Sequence, residues 1–395
     1  MKAGKWIVLS AGLGMAGSAF AQSSVTLYGL LDVGVNYQSN AGGKQLVNMT
    51  SGMLNGSRWG LQGKEDLGGG LSAVFRLENG FDITNGKLGQ GGLMFGRQAY
   101  VGLSSHAYGT VTLGRQYDAI VEFVNPFAVA NTWGGPPLAH PGDVDQMAHT
   151  NRVNNSIKYM SPDFYGFRVG GVYGMGGVAG DFTRNQVYSL GADYKRGAFS
   201  AGVGYLNVRQ PNVSFWGDTG SPAATSNGVP GANFAGSPVT TGFASAHSLQ
   251  AIAVGAQYQM GPATIGANYS NTRFRGLGDR TAGPVPAGGI GGTAVFDTGE
   301  LNFSWQLTPA VLLSAVYQYT KTSGVSGHTG ATYNEGGFGA SYALSKTTLL
   351  YAVGVYQKAS GTDSTGHAAV ASIYNITPSS TNHQAYVRVG LQKRF

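Results

Sequence analysis

The sequence predicts an all-β protein, a 16-stranded antiparallel transmembrane β-barrel, from three observations. Segments of about ten residues alternate apolar and polar side chains, which gives each strand one apolar and one polar face. These segments are joined alternately by very short and by long connections. Mean hydropathy is only −0.07 and no long apolar stretch follows residue 17, so a helical membrane protein is excluded.

The first element is an N-terminal leader. Two lysines precede an apolar run over residues 6–17, and residues 19–21, Ala-Phe-Ala, have the small-x-small form that signal peptidase cleaves. A transmembrane helix is the alternative, but the run is shorter than the ~20 residues that a helix needs to cross a bilayer. We therefore expect a cleavable signal peptide over residues 1–21 and a barrel over residues 22–395 of the exported protein.

The strands follow, and their alternation is clearest at the C-terminus. In the last strand Ala385, Val387 and Val389 share one face, and Tyr386 and Arg388 share the other. The first face is expected to meet lipid or a neighbouring subunit, and the second to meet water. The sixteen predicted strands span residues 24–37, 56–64, 71–82, 93–103, 108–115, 153–161, 166–174, 185–195, 198–208, 248–260, 263–273, 296–307, 310–320, 333–344, 348–358 and 383–395.

Connection length predicts the topology. Short connections such as residues 195–197 and 261–262 are typical of periplasmic turns, and an even strand number places both termini on that side. The long connections are rich in Gly, Ser, Thr and Pro, and belong on the cell exterior or inside the lumen. They span residues 116–152, 209–247, 274–295 and 359–382. A soluble array of β-sandwiches is the alternative, and the leader and the one-sided loop lengths argue against it.

Composition excludes several functions. Charged residues make up 11% of the chain, against roughly a quarter in soluble domains. The net charge of +7 comes from scattered residues rather than a basic stripe, so no nucleic-acid binding is expected. The chain has no Cys, and His140 and His149 lack a third ligand at useful spacing, so we expect no metal and no cofactor.

Several motifs carry a resemblance to a known family. With these motifs the chain resembles the trimeric general porins of Gram-negative bacteria, in particular their β-proteobacterial branch, over the whole mature length. The motifs are residues 24–34 (SVTLYGLLDVG), 57–68 (SRWGLQGKEDLG), 97–103 (RQAYVGL), 109–116 (GTVTLGRQ), 155–159 (NSIKY) and the terminal Phe395. The resemblance implies a homotrimer with one pore in each subunit and a third external loop folded into each barrel.

The resemblance also implies a function and a location. It implies a general diffusion porin of the bacterial outer membrane, a water-filled channel for passive transport of ions and small hydrophilic solutes, and no enzyme. Expected partners are outer-membrane lipid and lipopolysaccharide, and the outer-membrane assembly machinery, for which Phe395 would be the signal. A barrel enzyme would need Ser/His or Asp/His pairs at one strand end, and we find none. A solute-specific channel would need aromatic tracks, and an adhesive surface protein would not conduct.

A barrel of sixteen strands leaves an aqueous channel, so a loop must narrow it. The connection after the fifth strand, residues 117–151, stands where the family has its inward loop. Its acidic residues are Asp118, Glu122, Asp143 and Asp145. Basic residues on or beside lumen-facing strand positions are candidates for the opposite wall. They are Arg58, Arg97 and Arg152, followed by Arg76 and Lys158.

Such a wall facing loop carboxylates would create a transverse field and bias permeation, and we expect weak selectivity for anions. Each arginine also has a simpler interpretation, a solvated or salt-bridged residue that only keeps the lumen wet. For Arg115, Arg168 and Arg388 this simpler interpretation is favoured. The parity of Arg97 with Ala99 does not decide its direction.

Overall fold

The computed structural model describes residues 24–226, 229–234 and 237–395, so the predicted signal peptide lies outside the described residues. Seventeen strands form one antiparallel sheet that closes on itself, and two further strands form a small hairpin in a loop. No helix in the described part of the chain is long and apolar enough to cross a membrane.

The element bounds follow the predicted order. The strands are β1 (Ser24–Ala41), β2 (Lys44–Ser51), β3 (Arg58–Gly68), β4 (Leu71–Gly80), β5 (Gln98–Ser105), β6 (Gly109–Gln116), β7 (Val153–Met160), β8 (Phe167–Gly174), β9 (Val187–Arg196), β10 (Phe199–Arg209), β11 (Thr225–Ser226), β12 (Val229–Pro230), β13 (Ser248–Met260), β14 (Ala263–Leu277), β15 (Gly292–Gln306), β16 (Val311–Thr322), β17 (Ala331–Ser345), β18 (Thr348–Gly361) and β19 (His383–Arg394). The two short α-helices are α1 (Ala119–Phe123) and α2 (Pro211–Ser214).

The strands β2 and β3 are two halves of one barrel strand. Ser51 pairs with Val33 and Arg58 pairs with Leu30, so both halves lie along β1, and residues 52–57 leave the ladder between them. Counted this way, the barrel has the sixteen strands that were predicted. The predicted second strand, 56–64, omitted the outer half, because the connection at residues 42–43 is a tight Gly-Gly turn rather than a long loop.

The barrel closes between the first and the last strand. β19 pairs with β1 from Leu30 opposite Arg394 to Gln38 opposite Tyr386. At the seam the Gly29 amide donates to the Phe395 carbonyl at 3.0 Å and the Phe395 amide donates to the Gly29 carbonyl at 3.1 Å. Closure leaves no unpaired strand edge in the sheet, which a lipid environment requires.

Side-chain alternation matches the prediction. In β19, Tyr386 and Arg388 are 0% and 1% exposed, whereas Val387 and Val389 are 48% and 60% exposed. The polar face therefore points into the barrel and the apolar face points out. We call the rim with the short turns, such as residues 261–262, the turn end, and the opposite rim the loop end.

The interior is not polar throughout. Phe234 and Phe243, from the loop between β10 and β13, have ring centroids 5.8 and 6.0 Å from those of Phe274 and Phe296, which point inward from β14 and β15. This loop therefore folds into the barrel and builds an apolar core there. The sequence indicates this inner core in β13, where inward Leu249 and outward Ile252 are both apolar. Apolar residues on both faces are typical of a strand that is buried on both sides.

Deleting Phe395 should weaken closure. Both backbone hydrogen bonds to Gly29 would be lost, at about 1 kcal/mol each, and the sheet would end one pair earlier. We expect a lower yield of heat-modifiable barrel in the membrane fraction. The control is Phe199→Ala, which removes another exposed aromatic ring at the turn end but no seam contact. An equal yield for the deletion and this control would contradict a role of the seam in assembly.

Candidate pore constriction

The third external loop, residues 117–152, lies against the inner wall of the barrel. Its helix α1 packs where β9 and β10 have glycine, because a methyl group on Gly204 would lie 2.9 Å from Ile120 Cγ1 and one on Gly191 would lie 2.5 Å from Phe123 Cδ2. Sixteen strands enclose more space than this loop fills along one wall. The loop is therefore a lining that narrows the interior.

The same loop continues along the wall to β17. The amide of Val129 donates to Glu300 Oε1 at 3.0 Å, and Gln318 Nε2 donates to the Leu138 carbonyl at 2.7 Å. A methyl group on Gly337 would lie 2.6 Å from Leu138. Inward polar side chains thus satisfy loop backbone groups that would otherwise be buried without a partner.

Two of the candidate arginines meet at one hydroxyl group. Tyr117 Oη accepts hydrogen bonds from Arg97 Nη2 at 3.2 Å and from Arg152 Nη2 at 2.7 Å. The Arg152 guanidinium also lies 4.8 Å from the centre of the Tyr117 ring, a cation–π distance. Arg152 Nε donates to the Arg97 carbonyl at 3.2 Å, which ties the two residues together.

Arg58 joins this pair through the segment between β2 and β3. Its Nε donates to the Gly56 carbonyl at 2.9 Å, and a methyl group on Gly56 would lie 2.9 Å from Arg97 Nη1. The structure therefore brings Arg58, Arg97 and Arg152 together beside Tyr117. We call these three side chains the arginine cluster.

Arg97 reaches the interior because it precedes its strand. β5 begins at Gln98, and the Arg97 amide still bonds to the Glu78 carbonyl, so strand parity does not fix the direction of its side chain. Its Nε donates to Glu78 Oε1 at 2.8 Å, and Tyr28 Oη donates to Glu78 Oε2 at 2.8 Å. Glu78 is thus the carboxylate paired with the cluster.

The other two basic candidates lie nearby with partners of their own. Arg76 Nη2 donates to Gln62 Oε1 at 2.7 Å, on the side toward the turn end. Lys158 forms an ion pair with Glu122 of α1 and donates to the Tyr117 carbonyl at 3.3 Å. Glu122 is therefore neutralised where it faces the barrel wall.

The remaining loop acids hold the loop rather than face the cluster. Asp118 accepts from the amides of Ile120 and Val121 at the start of α1, and burial raises its pKa to about 6. Asp143 accepts from the Ala148 amide at 2.8 Å and from the Thr150 amide at 3.1 Å. Their carboxylates are buried and occupied within the loop.

Asp145 belongs to a buried group with His140. The two side chains meet at 2.6 Å, Ser270 Oγ donates to Asp145 Oδ2 at 2.5 Å, and His140 Nε2 lies 3.5 Å from Glu300 Oε2. Burial opposes the charge on His140, but Asp145 and Glu300 raise its pKa well above 6.5. The imidazolium therefore links the loop to β15.

Burial and the charge of Asp145 raise the pKa of Asp143.

Both cluster arginines outside the strands stay charged at neutral pH. Burial, aided by the charge of Arg97, lowers the pKa of Arg152 to about 10, and Tyr117 and Glu78 keep the pKa of Arg97 above its usual value despite burial. Burial and the arginines lower the pKa of His149 well below 6.5, so it is neutral beside them. Three arginines against one paired glutamate leave a net charge of two positive units.

Sequence reasoning missed three parts of this site. Glu78 and Tyr28 have lumen-facing parity and could have been found by the criterion applied to Arg58. Tyr117 gives no signal of its own, because its role depends on the path of the loop. On β19, which pairs with β1, Arg388 donates to Asp32 at 3.1 Å and to Asn36 at 2.6 Å, a buried network consistent with its structural interpretation.

A closed sixteen-stranded barrel, an inward loop and a cationic cluster together define an outer-membrane porin. Residues 7–362 match the profile of the Gram-negative porins, and the chain belongs to that family. It is 37% identical over 214 residues to an outer membrane porin protein of Bordetella pertussis, with 49% of this chain and 54% of that protein covered. The chain spans about half the length of the curated relatives it matches.

Solved structures show the same fold. The anion-selective porin from Comamonas acidovorans superposes with a TM-score of 0.70 at 22% identity, covering 95% of this chain and 100% of that one. The trimer form of OmpT, an outer membrane protein of Vibrio cholerae, gives a TM-score of 0.62 at 15% identity, covering 94% and 99%. At these identities the likeness concerns the fold alone.

The His140 group should make loop anchoring depend on pH. Since its folded pKa is raised, His140 contributes stability that is complete below about pH 6.5 and is lost as pH rises through the folded pKa. His140→Gln should cost roughly 3–5 kcal/mol at neutral pH, because it leaves Asp145 and Glu300 without their buried cation. The measurement is the thermal unfolding temperature in detergent against pH.

The control for this prediction is His149→Gln in the same loop. The folded pKa of His149 is lowered, so the native imidazole costs stability at acid pH and its removal should affect that range instead. The unfolding temperature of the native protein minus that of His140→Gln should fall as pH rises. A difference that stays constant from about pH 6 to about pH 10 would contradict a charged His140.

Proposed function

We propose that this protein is a general diffusion channel of the outer membrane, through which ions and small hydrophilic solutes pass passively with a weak preference for anions. The observation that carries the proposal is the arginine cluster, three guanidinium groups at the inward loop with a single paired carboxylate, Glu78. The closed barrel supplies the path, and the cluster supplies the sign of the charge.

The cluster favours anions through its uncompensated charge. Two unit charges ~7 Å apart interact by about 0.6 kcal/mol at an effective ε of 80 and by roughly 2.4 kcal/mol at an ε of 20. In a confined lumen, screening is weaker than in bulk water. Arg76 adds a further positive charge toward the turn end, whereas Lys158 is balanced by Glu122. The porin from Comamonas acidovorans, which shares the fold, is itself anion-selective.

We infer different roles for the four loop acids. Glu122 is the one that lies at the basic wall, and its pairing with Lys158 keeps it from cancelling the arginines. Asp118, Asp143 and Asp145 position the loop, and through it the Tyr117 hydroxyl that the arginines share. The transverse field of this pore therefore arises mainly from the cationic wall.

Selectivity provides the test of the cluster. Replacing Arg58, Arg97 and Arg152 together with Gln should lower the anion-to-cation permeability ratio by at least about 3-fold, since even 0.6 kcal/mol corresponds to that factor. The measurement is the reversal potential of single channels in a KCl gradient. The matched control replaces Lys195, Arg196 and Lys346 with Gln, an equal charge loss at the turn-end rim. An unaltered reversal potential in the cluster variant would show that these arginines are not the filter.

We further propose a homotrimer. The outward rows of β1, β2 and β5 carry apolar side chains such as Val35, Val47 and Val101 and no charged ones, and the trimeric OmpT shares the fold. Such a face suits contact with a neighbouring barrel as well as contact with lipid. Outer-membrane lipid, lipopolysaccharide and the assembly machinery, with Phe395 as the signal, complete the proposed partners.

Light scattering in detergent should give three times the mass of the chain. Val35→Arg with Val47→Arg, placed on this face, should shift the mass toward one chain, because buried unpaired charges at a contact are costly. The control is Val254→Arg with Ile265→Arg, which changes outward residues of β13 and β14. A native protein found only as a monomer would refute the trimer.

A further inference from the structure

Five basic residues point outward from the barrel near its loop end. Each lies in the last part of a strand that runs from the turn end to the loop end. These strands are β10, β14, β16 and β18. We call this set the outer basic arc, and its members are Arg209, Arg273, Arg275, Lys321 and Lys358.

Pairing and burial show that the arc faces away from the lumen. In β14, Thr272 and Phe274 are fully buried, whereas Arg273 and Arg275 between and beside them are exposed. In β16 and β18 the same alternation buries Thr320 and Gln357 and exposes Lys321 and Lys358. These cations therefore lie on the apolar face of the sheet, outside the permeation path.

Their depth in the membrane follows from tyrosines on the same rows. Tyr269, Tyr319 and Tyr356 are exposed, outward and nearer the turn end, in the way interfacial aromatic residues flank a lipid-facing band. At 3.3–3.4 Å per residue, the arc cations on these strands lie between about 7 and 20 Å beyond these rings. An outward cation costs roughly 2–4 kcal/mol at the midplane but about 0–1 at the interface. This position therefore corresponds to the headgroup layer.

The arc has no anionic partner of its own. Across the described residues, none of its five members takes part in an ion pair, and the Nε of Arg209 has no hydrogen-bond partner. Asp297, which lies opposite Lys321 in the ladder, accepts hydrogen bonds from Tyr269 Oη at 2.6 Å and from Asn271 Nδ2 at 2.7 Å instead. The positive charges are left facing outward.

The arc also covers only part of the circumference. On the outward rows of β1, β2 and β5 the loop end carries residues such as Tyr37, Met49 and Ala99, with no Lys or Arg. On β6, Arg115 lies 3.4 Å from Asp218 and is thereby paired. The unpaired outward cations of the arc thus lie on β10, β14, β16 and β18, outside the uncharged face proposed for subunit contact.

We propose that the outer basic arc binds the phosphate groups of glycolipids in the outer leaflet of the membrane. This inference rests on the proposed function, since an outer-membrane channel of this topology has its loop end on the cell exterior.

The positive charge of the arc complements the negative charge of phosphate, and its members lie close enough together for two of them to contact one headgroup. Arg209 and Arg275 both pair with Ser248, so their backbones lie about 10 Å apart, two strand spacings. Arg273 and Arg275 are about 7 Å apart along one strand. At the 8–10 Å screening length of physiological salt, neighbouring members act on one headgroup together.

The test uses lipid A, a bisphosphorylated glycolipid, added to delipidated protein in neutral detergent. Native mass spectrometry counts the bound lipid A molecules during a titration, with phosphatidylcholine as the neutral probe. Replacing Arg273, Arg275, Lys321 and Lys358 with Gln should raise the half-saturating lipid A concentration on the order of 1,000-fold, since each cation near an anionic surface contributes ~1 kcal/mol and every ~1.4 kcal/mol is tenfold. A milder variant, Arg273→Gln with Arg275→Gln, serves if the fourfold variant does not fold.

The matched control removes four exposed cations from the turn end by changing Lys195, Arg196, Lys346 and Lys393 to Gln. Native-like lipid A binding by this control, together with the loss in the arc variant, supports the proposal. Equal weakening in both variants, or in neither, overturns it. Single-channel conductance of the native protein is recorded in parallel: its absence would count against the proposed channel function and would leave the lipid A comparison standing.

Discussion

Backbone pairing is the constraint on which the rest of this structure depends. Lipid offers no hydrogen-bond partner, so each strand must find two neighbours and the sheet must close. Gly29 and Phe395 complete the last ladder, one near each terminus of the folded chain. Once the sheet is closed, every strand has one face toward lipid and one toward the interior, and the interior becomes the place where most charge can lie.

Inside the barrel, charges differ in how completely they are balanced. Arg388 with Asp32, and Lys158 with Glu122, are paired one to one and hold structure together. The arginine cluster is different, because two of its arginines share the single Tyr117 hydroxyl and only one carboxylate, Glu78, is paired with the cluster. Three guanidinium groups are therefore balanced by one carboxylate. This imbalance is the source of the transverse field that we propose for the pore.

The sequence predicted the barrel well because alternation and closure are local and repetitive. The faces of β19 and the direction of Arg58 follow from a period of two, and the family membership follows from motifs. Prediction was weaker where the chain leaves the ladder. Parity could not direct Arg97, which lies one residue before β5, and the hairpin at residues 42–43 hid the outer half of the second strand. The partners of Asp118 and Asp143 depend on loop packing, which has no period to read.

The glycines beneath the inward loop have a consequence for how pores of this kind diverge. Gly204 and Gly337 admit Ile120 and Leu138 so closely that a single added methyl group would displace the loop away from the wall. Displacement in that direction reduces the open cross-section, without any change to a residue that solutes touch. The bore of the channel is therefore a property of the scaffold as much as of the loop. Small-to-large exchanges on the wall give evolution a graded size adjustment that is separate from the charge of the arginine cluster.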